Sequence, residues 1–314
     1  MAVFLTGCGL VGYWIAKGLV SEGEDVILYD IKQTQFDQAD SEKITFIQGD
    51  LLDYPRLVDV FQKHGSRIEG IIHTAAMSAA GAQFLANPLR NVTTNIIGTL
   101  NILEVTRSFK VRKVVYTSTC GVYGSAEGPL SENNTPLRPT DLYGASKASG
   151  ELLGLQYANH WNIDFRCARL YFVYGPPSLP SNLPMVFKVL FGPLERLGPL
   201  SLESGGDQAL DFTYVKDTAK GVLLLYKAEN INHNIFNIAG GQSYNLRDVV
   251  NLVKKYSPPT SIDIGPGKIW PPRGFPVDIS LAKEELGFQP EYTLERGVAE
   301  YAEWLNKKRK SDRE

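Results

Sequence analysis

Apolar positions along this chain fall into short runs parted by longer segments of mixed polarity. Ala2–Thr6, Val26–Tyr29, Ile44–Gln48, Gly70–His73, Lys113–Ser118, Ile163–Leu170 and Ile235–Ile238 read as short buried strands. Between them, Tyr13–Ser21, Arg56–Lys63, Thr93–Phe109, Asp141–Trp161 and Thr218–Ala228 read as helices. In Asp141–Trp161, Leu142, Ala145, Ala148, Leu152, Leu155 and Ala158 recur at the spacing of a buried helix stripe. Regular alternation of strand and helix implies an α/β chain with a doubly wound parallel sheet, covered on both faces. Ligands of such sheets bind beyond the carboxyl ends of the strands. Asp50, the residues after His73, and Ser118-Thr119 all fall at such ends.

The texture changes after Pro176. Pro176–Gly206 is rich in Pro, Gly and Leu without a clear period, and reads as an irregular region over the crevice. Asp211–Val215 returns to strand character, and Tyr244–Tyr256 to helix. Ile269–Asp278 reads as extended, and Leu281–Gly287 and Leu294–Lys308 as closing helices. The expected division is a dinucleotide-binding part, 1–174 plus 208–240. A smaller, discontinuous substrate-binding part covers 175–207 plus 241–314.

Composition narrows the classes. A net charge of −2 over 314 residues carries no nucleic-acid footprint. Cys8, Cys120 and Cys167 do not form a disulfide framework, which favours a reducing, cytoplasmic setting. No stretch is long and apolar enough to span a membrane, so no membrane partner is expected. Met1–Val20 lacks the basic start of a signal peptide, and its glycines suit a tight turn.

Those glycines, Gly7-Cys8-Gly9-Leu10-Val11-Gly12, lie between the first strand and the first helix. Glycines there permit a tight turn and a close approach of backbone to a pyrophosphate, with the helix N-terminus supplying amide donors. Asp30 ends the next strand, where an acid accepts from ribose hydroxyls and repels a 2′-phosphate; Lys32 nearby pulls the other way. Tyr143 and Lys147 stand four apart, on one face of their helix. A tyrosine has a pKa of about 10, and a neighbouring ammonium favours its phenolate, making a proton carrier for an alcohol or ketone. Ser118 and Thr119 end their strand before this helix. Their hydroxyls either bond a substrate oxygen or satisfy strand-end backbone. His73 reads as a satisfied core residue, and no His or Cys spacing indicates a metal.

Together these residues resemble the extended short-chain dehydrogenase/reductase superfamily, in its NAD-dependent epimerase/dehydratase branch. The likeness runs through the glycine loop, Asp30, Gly49-Asp50, His73-Thr74-Ala75-Ala76 and Asn95-Ile96-Ile97-Gly98-Thr99. It continues through Ser118–Gly124, Tyr143 with Lys147, Arg169–Pro176, Asp211–Asp217 and Arg273–Gly287. The resemblance implies a Rossmann-type fold, NAD as cofactor, a sugar-like small-molecule substrate and a homodimer formed by the helices around Thr93 and Ala148. It implies that Tyr143 is the acid/base, Lys147 its partner, and Thr119, beside Ser118, the hydroxyl that aligns substrate. Cofactor contacts would fall to Gly7, Gly9, Leu10, Val11, Gly12, Asp30, Asp50, Leu51, Ala75, Ala76, Asn95 and Val173, with Tyr143 and Lys147. Substrate contacts would fall to Ser78, Thr119, Phe172, Leu210 and Arg273.

The chain also departs from the family pattern. Dehydratase-like relatives carry a carboxylate directly after the catalytic hydroxyl; Cys120 and Gly121 stand here, which argues against elimination. Phe172 and Leu210 replace the family's usual Asn and Arg, and an apolar side chain gives no charge-assisted bond to a phosphate. The expected activity is hydride transfer on a secondary alcohol of a sugar or sugar-derived substrate, as an epimerase or oxidoreductase. A dehydrogenase or ketoreductase of a non-nucleotide polyol or sugar acid, and an NAD-binding protein without turnover, stay open.

Overall fold

The computed structural model describes residues 1–77, 85–126, 128–179, 185–269 and 276–312. In chain order its strands begin with β1 (Ala2–Thr6), β2 (Asp25–Asp30), β3 (Ile44–Gln48), β4 (Ile68–His73), β5 (Lys113–Thr119) and β6 (Asp164–Leu170). There follow β7 (Val173–Tyr174), β8 (Leu200–Leu202), β9 (Ala209–Asp211), β10 (Thr213–Tyr214), β11 (Ile235–Ile238), β12 (Ser243–Asn245) and β13 (Ile262–Ile264). The helices are α1 (Leu10–Ser21), α2 (Gln38–Ser41), α3 (Tyr54–His64), α4 (Pro88–Ser108) and α5 (Leu142–Trp161). Later come α6 (Met185–Phe191), α7 (Val215–Lys227), α8 (Leu246–Lys254), α9 (Ser280–Leu286) and α10 (Leu294–Ser311).

The central sheet runs β3-β2-β1-β4-β5-β6-β11 with every neighbouring pair parallel. Strand order turns back between β1 and β4, and the crevice opens beyond their carboxyl ends. Burial on both faces explains why these strands read as apolar runs rather than alternating ones. In β1, Val3 and Leu5 pack with Ile15 and Leu19 of α1 and Val222 of α7. Ala2 and Phe4 face the other way, onto Leu57 and Phe61 of α3 and Ile102 of α4. One strand thus feeds two cores by its period of two. A third cluster gathers Phe191 of α6, Leu210 of β9, Val249 of α8 and Val298 and Tyr301 of α10.

The expected elements recur with ends moved by a few residues, and the carboxyl-terminal part differs more. Pro176–Gly206 holds α6 and β8. The sequence of α6, MVFKVLF, is apolar almost all round because Val186, Val189, Leu190 and Phe191 are all buried, so no period marks it. The expected strand Asp211–Val215 divides among the end of β9, β10 and the start of α7. Most of the extended stretch expected at Ile269–Asp278 lies outside the described residues. Among the described residues no helix is long and apolar enough to cross a membrane.

Candidate active site

The glycine loop joins β1 to α1 at the crevice. Gly7 has φ +81°, and a side-chain carbon there would lie 2.5 Å from the Cα of Ala75. One at Gly12 would lie 2.0 Å from the Gly7 carbonyl oxygen. The helix therefore seats directly on the loop backbone, and the loop on the segment after β4. At Gly9 the same position meets open space, and no side chain caps α1. Leu10 and Val11 form the first turn behind it. Asp30 accepts the Cys8 amide at 2.6 Å and the Lys32 amide at 3.0 Å, fixing the loop to the end of β2. Beside it, Asp50 pairs with Arg90 at 2.6 Å and accepts the Leu52 amide at 3.0 Å. Leu51 is buried, and its carbonyl accepts from Asn101 at 2.8 Å. This tight turn, exposed glycine and helix start suit the pyrophosphate of a dinucleotide, and Asp30 suits a ribose. The residues present fit NAD.

The floor of the crevice is held by side chains. Asn95 accepts the Met77 amide at 2.7 Å and donates to the Met77 carbonyl at 3.1 Å and to Ser146 Oγ at 3.0 Å. It clamps the segment carrying Ala75 and Ala76 to α5, and both its amide hydrogens are engaged. His73 meets Thr6 Oγ1 at 2.6 Å and Thr99 Oγ1 at 3.0 Å. Because Thr99 gives its own proton to the Asn95 carbonyl, the imidazole donates from Nε2 and accepts at Nδ1. Burial, then the charge of Lys147, pushes His73 down to about 3, so it stays neutral in the core.

Tyr143 and Lys147 enter from α5. Asp141 caps that helix by accepting the Gly144 amide at 2.7 Å. A side-chain carbon at Gly144 would lie 2.9 Å from the Gly121 carbonyl oxygen. The turn of helix bearing Tyr143 therefore packs on the turn that follows Thr119. Thr119 accepts the Gly121 amide at 3.1 Å, and its own proton is left to give. Ser118 is buried, and its hydroxyl has no partner among the described residues.

The expected effect of Lys147 on Tyr143 is not what this arrangement produces. The Lys147 ammonium, 2% exposed, lies 4.2 Å from the centre of the Tyr116 ring. Burial pushes it down to about 8. Part of the Tyr143 ring reaches solvent, but protein surrounds the phenol, and that burial, then Asp141, pushes it up to about 12. Desolvation and a neighbouring carboxylate both favour the neutral phenol.

Beyond β6 the wall is aromatic. Phe172 has φ +35°, a left-handed backbone that bulky residues rarely adopt. Its ring stacks on Phe187 at 5.7 Å and meets Tyr171 and Phe212 edge-on at 4.7 and 5.9 Å. Val173, half-buried in β7, follows it. Leu210, expected at the substrate, is fully buried in the third core, opposite Tyr244 of β12. Ser78 and Arg273 lie outside the described residues. Sequence reasoning missed the Asn95 clamp on Met77, because a buried amide gives no spacing signal. It also missed the cap at Asp141, which an Asp before a helix does announce.

A family model described as "NAD dependent epimerase/dehydratase family" matches residues 3–239. A UDP-glucuronate 4-epimerase of Thermodesulfobacterium geofontis is 29% identical, over 94% of this chain and 93% of that protein. A UDP-glucose 4-epimerase of Corynebacterium glutamicum is 28% identical, over 94% and 92%. The crystal structure of a UDP-glucose 4-epimerase from Thermotoga maritima, with UDP-glucose, superposes with a TM-score of 0.87 at 26% identity, covering 98% of this chain and 99% of that one. The glycine cradle, the acidic strand end, the Tyr143–Lys147 helix and this match over most of the chain have one reading: the protein is an NAD-dependent enzyme of the epimerase/dehydratase family.

Proposed function

We propose that this enzyme is a sugar epimerase, which oxidises a secondary alcohol of its substrate and re-reduces the ketone on the opposite face. One observation carries the reading. The helix turn bearing Tyr143 packs on the turn after Thr119, at the carboxyl edge of the sheet, and Asn95 ties that helix to the Ala75–Met77 segment on which the glycine loop rests. When bound, NAD supplies a reversible hydride acceptor and, oxidised, a positive charge that favours a neighbouring phenolate. Gly7, Gly9, Leu10, Val11, Gly12 and Asp30 hold it at the pyrophosphate and ribose, with Asp50, Leu51, Ala75, Ala76 and Val173 around it. Asn95 keeps the Ala75–Met77 segment in place.

Tyr143 takes the hydroxyl proton in the oxidative half and returns it in the reductive half. Thr119 donates to the same substrate oxygen and so orients the carbon that loses hydride. Ser118 precedes Thr119 in β5, its buried hydroxyl without a partner among the described residues. Lys147 follows one turn later on the same helix face, buried over the Tyr116 ring. Gly121 offers no carboxylate, so the substrate keeps its carbon-bound protons next to the ketone. The third core, with α6, α8 and α10, forms the substrate-binding part, and Phe172 is its wall nearest the chemistry.

The UDP-sugar relatives support a nucleotide-linked hexose. A dehydrogenase of a non-nucleotide polyol or sugar acid is the second reading, favoured by the apolar Phe172 and the buried Leu210. A second copy of the chain is the natural cover for Leu89, Ile97 and Leu152, which are 80%, 42% and 56% exposed on α4 and α5. The buried, unpaired cysteines suit a reducing, cytoplasmic setting.

The test supplies UDP-glucose, then UDP-glucuronate, to NAD-loaded enzyme and follows NADH absorbance and product stereochemistry. A C4 stereoisomer without accumulating NADH is the expected result. NADH accumulating in proportion to substrate would replace epimerisation by net oxidation. Tyr143→Phe should lower kcat by about 10²–10⁴-fold, and an unchanged rate would remove Tyr143 from the mechanism.

A further inference from the structure

A buried polar chain runs from the Tyr143 helix to the Thr119 turn. Tyr143, Lys147 and Glu151 follow one another at four-residue steps along one face of α5. Glu151 is fully buried, and Arg169 of β6 is 3% exposed. Arg169 grips the carboxylate with two parallel bonds along one edge of its guanidinium, Nη2 at 2.7 Å and Nε at 3.1 Å. Its remaining arm donates to the Tyr123 hydroxyl at 2.8 Å, and its charge lies 4.7 Å from the centre of that ring. Tyr123 closes the short 3-10 turn, Cys120–Tyr123, that begins directly after Thr119. The Tyr123 hydroxyl in turn donates to Asn237 of β11 at 2.8 Å. Asn237 spends its amide hydrogens on the carbonyls of Leu130 and Asp278, at 3.1 and 3.0 Å.

Stability is a poor account of this chain. Desolvating a buried ion pair offsets most of its attraction, and well-packed apolar replacements are often neutral or stabilising. What a buried, fork-shaped pair supplies is geometry, since its two parallel bonds tolerate little sliding. Here the geometry joins the helix that carries Tyr143 to the turn that carries Thr119. The Gly144–Gly121 backbone approach brings the two together at the helix start. We propose that Glu151, Arg169 and Tyr123 are positioning residues that hold Tyr143 and Thr119 in register for one substrate oxygen. This rests on the acid/base reading of Tyr143. None of the three touches substrate; they act through the backbone they fasten.

The test uses Tyr123→Phe, which removes one hydroxyl, and the paired apolar variant Glu151→Met/Arg169→Met. Hydrogen exchange of the full-length protein is read at residues 119–124 and in the first turn of α5, without substrate. Both variants are expected to remain folded, with faster exchange at the two separated segments together. With the sugar nucleotide that the wild type turns over, kcat should fall about tenfold while KM changes little, the pattern of a group misaligned in the transition state. Exchange altered only around residues 151 and 169, with kcat unchanged, would overturn the proposal. If the paired variant fails to fold, Tyr123→Phe decides alone: unchanged exchange in the first turn of α5 overturns the proposal. Tyr143→Phe is the control. Full activity there would overturn the acid/base reading and this one with it. An inactive Tyr143→Phe beside fully active linkage variants would overturn this one alone.

Discussion

The glycine-loop side of the crevice and the Phe172 side solve recognition in opposite ways. On the first, backbone does the shaping. Gly7 and Gly12 let loop, helix and the Ala75 segment touch without side chains, and Asp30 ties the loop down through the Cys8 amide. Any dinucleotide offers the same pyrophosphate, so a backbone cradle serves a whole family. On the second, side chains do the shaping. Phe172, Phe187 and Phe212 pack ring against ring, and the strained φ of Phe172 is held by that packing and by the Thr213 amide on its carbonyl at 3.3 Å. Bulky residues held in rare backbone regions collect at functional sites. The contrast teaches that one side of the crevice is shaped by backbone approach and the other by side-chain packing.

Three perturbations separate the two sides. The largest effect belongs to Gly12→Ala, because the new methyl would lie 2.0 Å from a backbone oxygen that cannot rotate away. It should destabilise the fold by about 3 kcal/mol and abolish the rise in Tm that NAD produces. A variant that keeps both its stability and its NAD-dependent shift would break the claim that backbone contact shapes this side.

His73 comes next, under the same loop. Its folded-state value is about 3 against an ordinary 6.5, so the unfolded chain binds the extra proton first as pH falls. Stability is intact above pH 6.5 and is lost progressively down towards pH 3, by about 2 kcal/mol between pH 7 and pH 5. Urea midpoints at the two pH values check this. The loss should shrink in His73→Gln, and an equal loss in that variant would assign the acid sensitivity elsewhere.

The smallest effect is the most selective. Phe172→Asn replaces an aromatic wall by an amide that suits a left-handed backbone. NAD binding should be unchanged. The ratio of kcat/KM for UDP-glucuronate to that for UDP-glucose should rise severalfold, a difference of about 1 kcal/mol. An altered NAD affinity with an unchanged ratio would show that the two sides are not separate.

Much of this protein was legible in the chain of residues. Strands buried on both faces announce themselves as apolar runs, helices as stripes, and the glycine loop and the Tyr143–Lys147 step as local spacings. Fold and cofactor therefore followed from neighbours in sequence, because each signal fits within a turn or a strand. What tertiary structure decided were facts about neighbours in space. Lys147 lies over the Tyr116 ring, and Tyr143 is raised by burial and by Asp141. Leu210 packs into the third core opposite Tyr244 of β12, a pairing across strands that no local spacing announces. Helix α6 escaped notice because burial on most sides erases the period that would mark it. Glu151, Arg169 and Tyr123 meet across intervals of 18 and 46 residues, and no local pattern encodes such a meeting. Spacing writes backbone geometry into sequence, whereas desolvation and long-range pairing exist only once the chain has closed on itself.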